Sequence, residues 1–113
     1  MRSSYIPEAG DIVWLQFDPQ AGHEQKGHRS ALVLTPASYN GKTGLMVCCP
    51  MTTQTKGYPF EVQITGKSPG VALADQVKNM DWKERQARFK GRATPQELDE
   101  ARAKACVLIG RKI

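Results

Sequence analysis

Ile12-Val13-Trp14-Leu15-Gln16-Phe17 is the stretch on which the fold turns. Side chains alternate across an extended strand, so Val13, Leu15 and Phe17 fall on one face and Trp14 and Gln16 on the other. Asp18-Pro19 breaks the run. Shorter apolar pieces follow at residues 31–34 and 45–49, with Pro36 and the turn signal Asn40-Gly41 between them and Pro50 closing the second. Phe60, Val62 and Ile64 then alternate with Glu61 and Gln63, the pattern of a half-exposed strand. Ser68-Pro69-Gly70 turns the chain into a last apolar piece, residues 71–74. Thr94-Pro95-Gln96-Glu97 opens a helix: Thr94 caps, Pro95 suits the first helical position, and Glu97 completes a capping box. Leu98, Ala101, Ala105 and Leu108 line one helical face, and Gly110 suits its end. Five short strands and one helix predict an α+β, mainly β domain: a small curved sheet or barrel closed by a C-terminal helix.

At 113 residues the chain is long enough for one domain, residues 1–113, and too short for two. Its three cysteines are Cys48, Cys49 and Cys106. Neighbours on a strand point to opposite faces, so Cys48 and Cys49 do not readily share a metal or a bridge. With no C-x-x-C pair and only His23 and His28 as imidazoles, no structural zinc is expected, and free thiols fit a reducing compartment. Glu8 and Asp11 precede any long apolar run, which argues against a signal peptide. No stretch reaches the ~18 apolar residues of a membrane span. The expectation is a cytoplasmic protein. Its net charge of +5 suits an anionic partner, nucleic acid foremost, though it also suits plain solubility.

Two polar stretches adjoin the apolar strands and read as loops. The first, residues 20–30, holds His23, Glu24, Gln25, His28 and Arg29. The second, residues 52–58, holds Thr52, Thr53, Gln54, Thr55 and Lys56. Arginine offers a planar fork of donors for phosphate oxygens, and threonine hydroxyls add neutral donors. Such a set permits RNA cleavage by internal transfer, in which the ribose 2′-OH attacks its own phosphate. Arg29 suits the developing charge, because a guanidinium is a cation with a planar fork of donors. Glu24 and His28 suit proton transfer. Because the substrate carries the nucleophile, neither a metal nor a cofactor is required. Taken singly, each residue also has a plain role: Arg29 in a surface ion pair, Thr52 at a strand end, His28 exposed on a loop, Trp14 and Trp82 in packing. The basic run from Lys83 to Arg92 equally suits a solvated surface.

The wording of four ordered blocks narrows these options. Residues 7–15 resemble the opening strand of the MazF/PemK toxin family. Gly22-His23-Glu24-Gln25-Lys26-Gly27-His28-Arg29 resembles that family's first active-site loop. Residues 50–62, from Pro50 through Thr52 and Lys56 to Val62, resemble the second. Residues 71–78, ending at Lys78, resemble a third block, followed by Trp82 and Arg85. The resemblance implies an SH3-like small barrel of the plasmid-maintenance toxin type and a homodimer. It implies a toxin–antitoxin endoribonuclease that cuts single-stranded RNA and leaves 2′,3′-cyclic phosphate and 5′-hydroxyl ends. It carries the catalytic arginine onto Arg29 and the catalytic threonine onto Thr52, with Glu24 supporting activity. Gln25, His28, Thr53, Gln54, Lys56, Lys78 and Arg85 are then the RNA-binding candidates, and a cognate antitoxin would cover the site. One departure stands out: the family usually has proline directly after the catalytic arginine, and here it is Ser30. Proline would fix φ there and restrict Arg29.

Two other classes compete with this reading. A gyrase-poisoning toxin of the CcdB type shares the fold, but its toxicity rests on a C-terminal Trp-Gly-Ile ending. This chain reads Leu108-Ile109-Gly110-Arg111-Lys112-Ile113 there. A non-catalytic RNA-binding module is the other, motivated by Ser30.

Overall fold

The computed structural model describes residues 5–16 and 28–110. Seven strands form one curled antiparallel sheet: β1 (Asp11–Gln16), β2 (His28–Val33), β3 (Leu45–Thr52), β4 (Glu61–Ile64), β5 (Gly70–Leu73), β6 (Lys78–Asp81) and β7 (Arg88–Arg92). Helix α1 (Ala37–Thr43) joins β2 to β3, and helix α2 (Pro95–Ile109) closes the described chain. The strand order is β4-β5-β3-β2-β1-β7. On the edge of β3 away from β2, β6 covers Leu45–Cys48 and β5 covers Met51 and Thr52. This change of partner bends the sheet into a half-barrel, the mainly β architecture with a C-terminal helix that the strand count predicts.

Each face of the sheet carries a dry core. Ile12, Leu32, Cys49, Met51, Val62 and Ala72 pack on one face with Ala101 of α2. Val13, Leu15, Ala31, Val33, Cys48 and Trp82 pack on the other. Ile12 and Val13 are thus both fully buried, although neighbours in a strand point opposite ways. The adjacent thiols of Cys48 and Cys49 sit one in each cluster, and burial first of all pushes each up to about 12. All three cysteines are free.

The structure corrects the sequence-based reading in five places. Asn40-Gly41 is no turn but lies inside α1, which ends instead at Gly44 in the left-handed region, φ 77°. The reason is tertiary. Asn40 is fully buried; its amide donates to the carbonyls of Pro7 and Thr35, and its own carbonyl accepts from the Trp82 indole. Those bonds outweigh a local turn preference. Pro50 does not end β3. It falls in the step between β6 and β5, where that edge carries no pair for a missing N–H to disturb. Glu61 is buried rather than facing water. The polar, basic stretch 78–92 supplies β6 and β7, which brings the strands to seven. Of the loop expected over residues 20–30, the part before His28 lies outside the described residues, as does Phe17. Arg29 and Ser30 belong to β2, opposite Leu15 and Trp14.

Helix α2 is capped as read: Glu97 N–H donates to the Thr94 hydroxyl, and Thr94 N–H donates to the Glu97 carboxylate. Arg102 ties the helix to the sheet through two donations to the Leu34 carbonyl, at 3.0 and 2.7 Å. The helical face is only partly covered. Ala101 and Ala105 are buried, whereas Leu108 is exposed. Among the described residues, no helix is long and apolar enough to cross a membrane.

The cap makes a pH-dependent prediction. Partial burial raises the Glu97 pKa, but hydrogen bonds from Thr94 and Thr65 outweigh it, so the net shift is downward. A depressed folded pKa means stability that is present above the ordinary glutamate value of about 4.3 and lost as pH falls through the lower folded value. Thr94→Ala should cost about 1 kcal/mol at neutral pH. Glu97→Gln should also destabilise there, and its deficit against the parent should shrink on acidification. Thermal melts at neutral and acid pH check this; a deficit that does not change with pH would rule out the carboxylate's role.

Candidate functional site

The site lies where β2 begins and β3 ends. These strands pair Ala31 with Pro50, Leu32 with Cys49 and Val33 with Cys48. Carried two residues further, that register sets Arg29 opposite Thr52, and cross-strand neighbours share a face. Two clefts meet at this point, each lined by both residues. One, of about 360 Å³, adds Trp14, Ser30, Thr53 and Lys90. The other, of about 310 Å³, adds Gln54, Lys56, Tyr58, Glu61 and Asp75.

Local bonds prepare both sides. The backbone N–H of Gln54 donates to the Thr52 hydroxyl oxygen at 3.2 Å, which uses a lone pair and leaves the O–H as a donor. The Glu61 carboxylate accepts from the N–H of Lys56 at 3.0 Å and of Gly57 at 3.1 Å. A buried acid thereby pins the connection that carries Lys56. Lys104 of α2 donates to the Glu61 carbonyl at 2.9 Å and fixes the start of β4. On the opposite side, Lys90 Nζ lies 4.1 Å from the centre of the Trp14 ring and donates to the Ser30 hydroxyl at 2.8 Å. Arg29, Lys56 and Lys90, with the hydroxyls of Thr52 and Thr53, thus present cations and neutral donors to a phosphate-sized anion.

The structure gathers five of the residues singled out in the sequence: Arg29, Thr52, Thr53, Gln54 and Lys56. Glu24 and Gln25 lie outside the described residues. His28 opens β2 opposite Gln16, and its side chain lies outside the description. Lys78 and Arg85 are not among the lining of the two clefts. Lys78 is exposed on β6 opposite Cys48. Arg85 donates to the Gln16 carbonyl at 3.1 Å, while Gln16 N–H donates to the Arg85 carbonyl at 3.0 Å, so it is bonded to the end of β1. Sequence reasoning passed over Lys90, one cation in a basic run, and left Trp14 as packing. The signal for both was strand pairing, which the polar stretch conceals. Among the described residues, no group of three or more His, Cys, Asp or Glu side chains comes together as a metal site.

A curled half-barrel with a cation- and hydroxyl-lined pair of clefts at one strand end defines a small β-sheet protein with an anion-binding site. Residues 8–109 match the model of the PemK-like, MazF-like toxins of type II toxin–antitoxin systems. The chain is 55% identical over 111 residues to the endoribonuclease toxin MazF of Escherichia coli strain K12, covering 97% of this chain and 100% of that one. Crystal structures from Deinococcus radiodurans agree. MazF alone superposes with a TM-score of 0.85 at 51% identity, covering 96% of this chain and 100% of that one. A MazE–MazF complex gives 0.85 at 44% identity with the same coverage. The chain belongs to the PemK-like, MazF-like toxin family.

The buried Glu61 should matter to the site's shape. Glu61→Leu removes both accepting oxygens, so the N–H groups of Lys56 and Gly57 lose their side-chain partner. The expected cost is about 1–3 kcal/mol. Amide exchange at Lys56 and Gly57 should accelerate. Unchanged protection of those two amides would show that Glu61 does not hold the connection.

Proposed function

We propose that this chain is the toxin of a type II toxin–antitoxin system, a sequence-specific endoribonuclease that cuts single-stranded RNA, messenger RNA above all, and so arrests translation and growth. The family and the endoribonuclease relative support this reading. The observation that carries it is that Arg29 and Thr52 together line both clefts.

The ribose 2′-OH attacks the adjacent phosphorus while the P–O5′ bond breaks, giving a 2′,3′-cyclic phosphate and a 5′-hydroxyl. The protein's tasks are to hold the phosphate, to stabilise charge on its five-coordinate state and to move two protons. Arg29 offers its planar cationic fork to the phosphate oxygens and takes the charge. Thr52 donates its hydroxyl hydrogen to a phosphate oxygen. Glu24 and His28 serve proton transfer. Thr53, Gln54 and Lys56 hold the RNA within the clefts, with Gln25, Lys78 and Arg85 extending the contact. No metal-bound water is called for, because the attacking oxygen belongs to the substrate. The same reading gives a homodimer acting in the cytoplasm, and a cognate antitoxin that covers the site, as MazE accompanies MazF in the Deinococcus radiodurans complex.

Arg29→Ala should slow cleavage by at least about a hundredfold, the scale of one lost transition-state donor, and leave the melting temperature near that of the parent. Arg29→Lys should also be poor, since a point charge does not replace a planar fork. A folded Arg29→Ala protein that cuts at the parent rate would remove Arg29 from the chemistry. Cleavage should persist in EDTA. RNA with a single 2′-deoxyribose just upstream of the cut should be left intact; if it is cut, internal transfer is excluded and a water nucleophile is required.

A further inference from the structure

We propose that Lys90 is a second phosphate-binding cation of the RNA site, held at a phosphate flanking the scissile one by Ser30 and Trp14. The inference rests on the endoribonuclease reading above. Its basis is the way this lysine is placed. β1 and β7 pair Ile12 with Gly91 but Val13 with Phe89, so Lys90 is the extra residue of a β-bulge. Bulges re-aim side chains and recur beside functional sites. Gly91 is needed for this path: a Cβ there would come within 2.5 Å of the Ser68 hydroxyl oxygen. Ser68 in turn donates to the Lys90 carbonyl at 3.4 Å.

The side chain is restrained as well. A free lysine stem loses about 2 kcal/mol of rotamer entropy when it is ordered. Here the Trp14 face, at 4.1 Å, and the Ser30 hydroxyl, at 2.8 Å, meet that cost before any ligand arrives. An ammonium has three donors, and Ser30 takes one. Lys90 is only half-buried and lines the open cleft that also holds Arg29 and Thr52, so its ammonium stays within reach of an anion there. Arg29 and Thr52 line both clefts, whereas Ser30 and Lys90 line only the first. A cation anchored to Ser30 therefore lies to one side of the phosphate that Arg29 and Thr52 take, and addresses its neighbour.

The test uses the uncleavable 2′-deoxy RNA and measures binding as a function of salt. In single strands each phosphate contact contributes about 0.7 to the slope of log affinity against log salt. Lys90→Gln should weaken binding on the order of fivefold at low salt and make that slope shallower by about 0.7. Lys90→Arg should keep the slope. Ser30→Ala should weaken binding without changing the slope, because the charge stays while its anchor goes. If Lys90→Gln binds with the parent slope, whatever its melting temperature, Lys90 is a packing partner of Trp14 and the inference fails alone. If the parent protein neither binds nor cuts RNA, the endoribonuclease reading fails, and this inference with it.

Discussion

The register between β2 and β3 is the constraint on which the site depends. Ala31, Leu32 and Val33 are fully buried, and their partners Cys48, Cys49 and Pro50 are buried too. Burying a valine or leucine contributes about 1.5–3 kcal/mol, so the ladder is held together strongly. Yet both faces are apolar, and a slip by one residue would still bury hydrophobic groups. Apolarity alone therefore does not choose the register. Directional bonds do. Leu34 N–H donates to the Val47 carbonyl in the same register, and Val47 N–H donates to the Thr35 hydroxyl at 3.0 Å, a side-chain bond that a slipped pairing would lose. A slip would move Thr52 to the face opposite Arg29 and divide the site.

Around that ladder, the site is assembled by groups that are not themselves in the clefts' chemistry. Glu61 ties the backbone of Lys56 and Gly57. Ser68 and the bulge set β7, and Arg85 fastens its turn to the end of β1. An antiparallel sheet suits this division of labour. Its interior is a rigid, doubly covered scaffold, and its strand ends are free to carry charge without desolvating it. The cations that would meet RNA sit on those ends, where a phosphate can reach them and where the cost of burying an isolated charge is avoided.

The alternating run in β1, the apolar segments that became β2 to β5, and the capped start of α2 were legible because each shows in local order: a period of two, or a cap with its box. Arg29, Thr52 and Lys56 were legible through the wording of their blocks. The helix across Asn40-Gly41, the passage of β3 through Pro50 and the burial of Glu61 were not. Each depends on partners far along the chain: Pro7 and Trp82 for Asn40, the β6-to-β5 exchange for Pro50, and Lys104 with α2 for Glu61. Edge strands β6 and β7 do not show in the sequence because most of their residues are polar and the apolar Phe89 faces outward, so strands of four and five residues carry little periodic signal.

The sequence by itself determined a mainly β domain with a capped C-terminal helix, a basic surface, and a set of arginine, threonine and lysine suited to a phosphate, because propensity, alternation and functional-group chemistry act on neighbouring residues. Only the tertiary structure decided that Arg29 and Thr52 fall on the same register, and that a bulge brings Lys90 to Ser30 and Trp14. Pairing between strands is set by hydrogen bonds and packing across dozens of residues, and no local pattern in the chain encodes which residues those bonds will join.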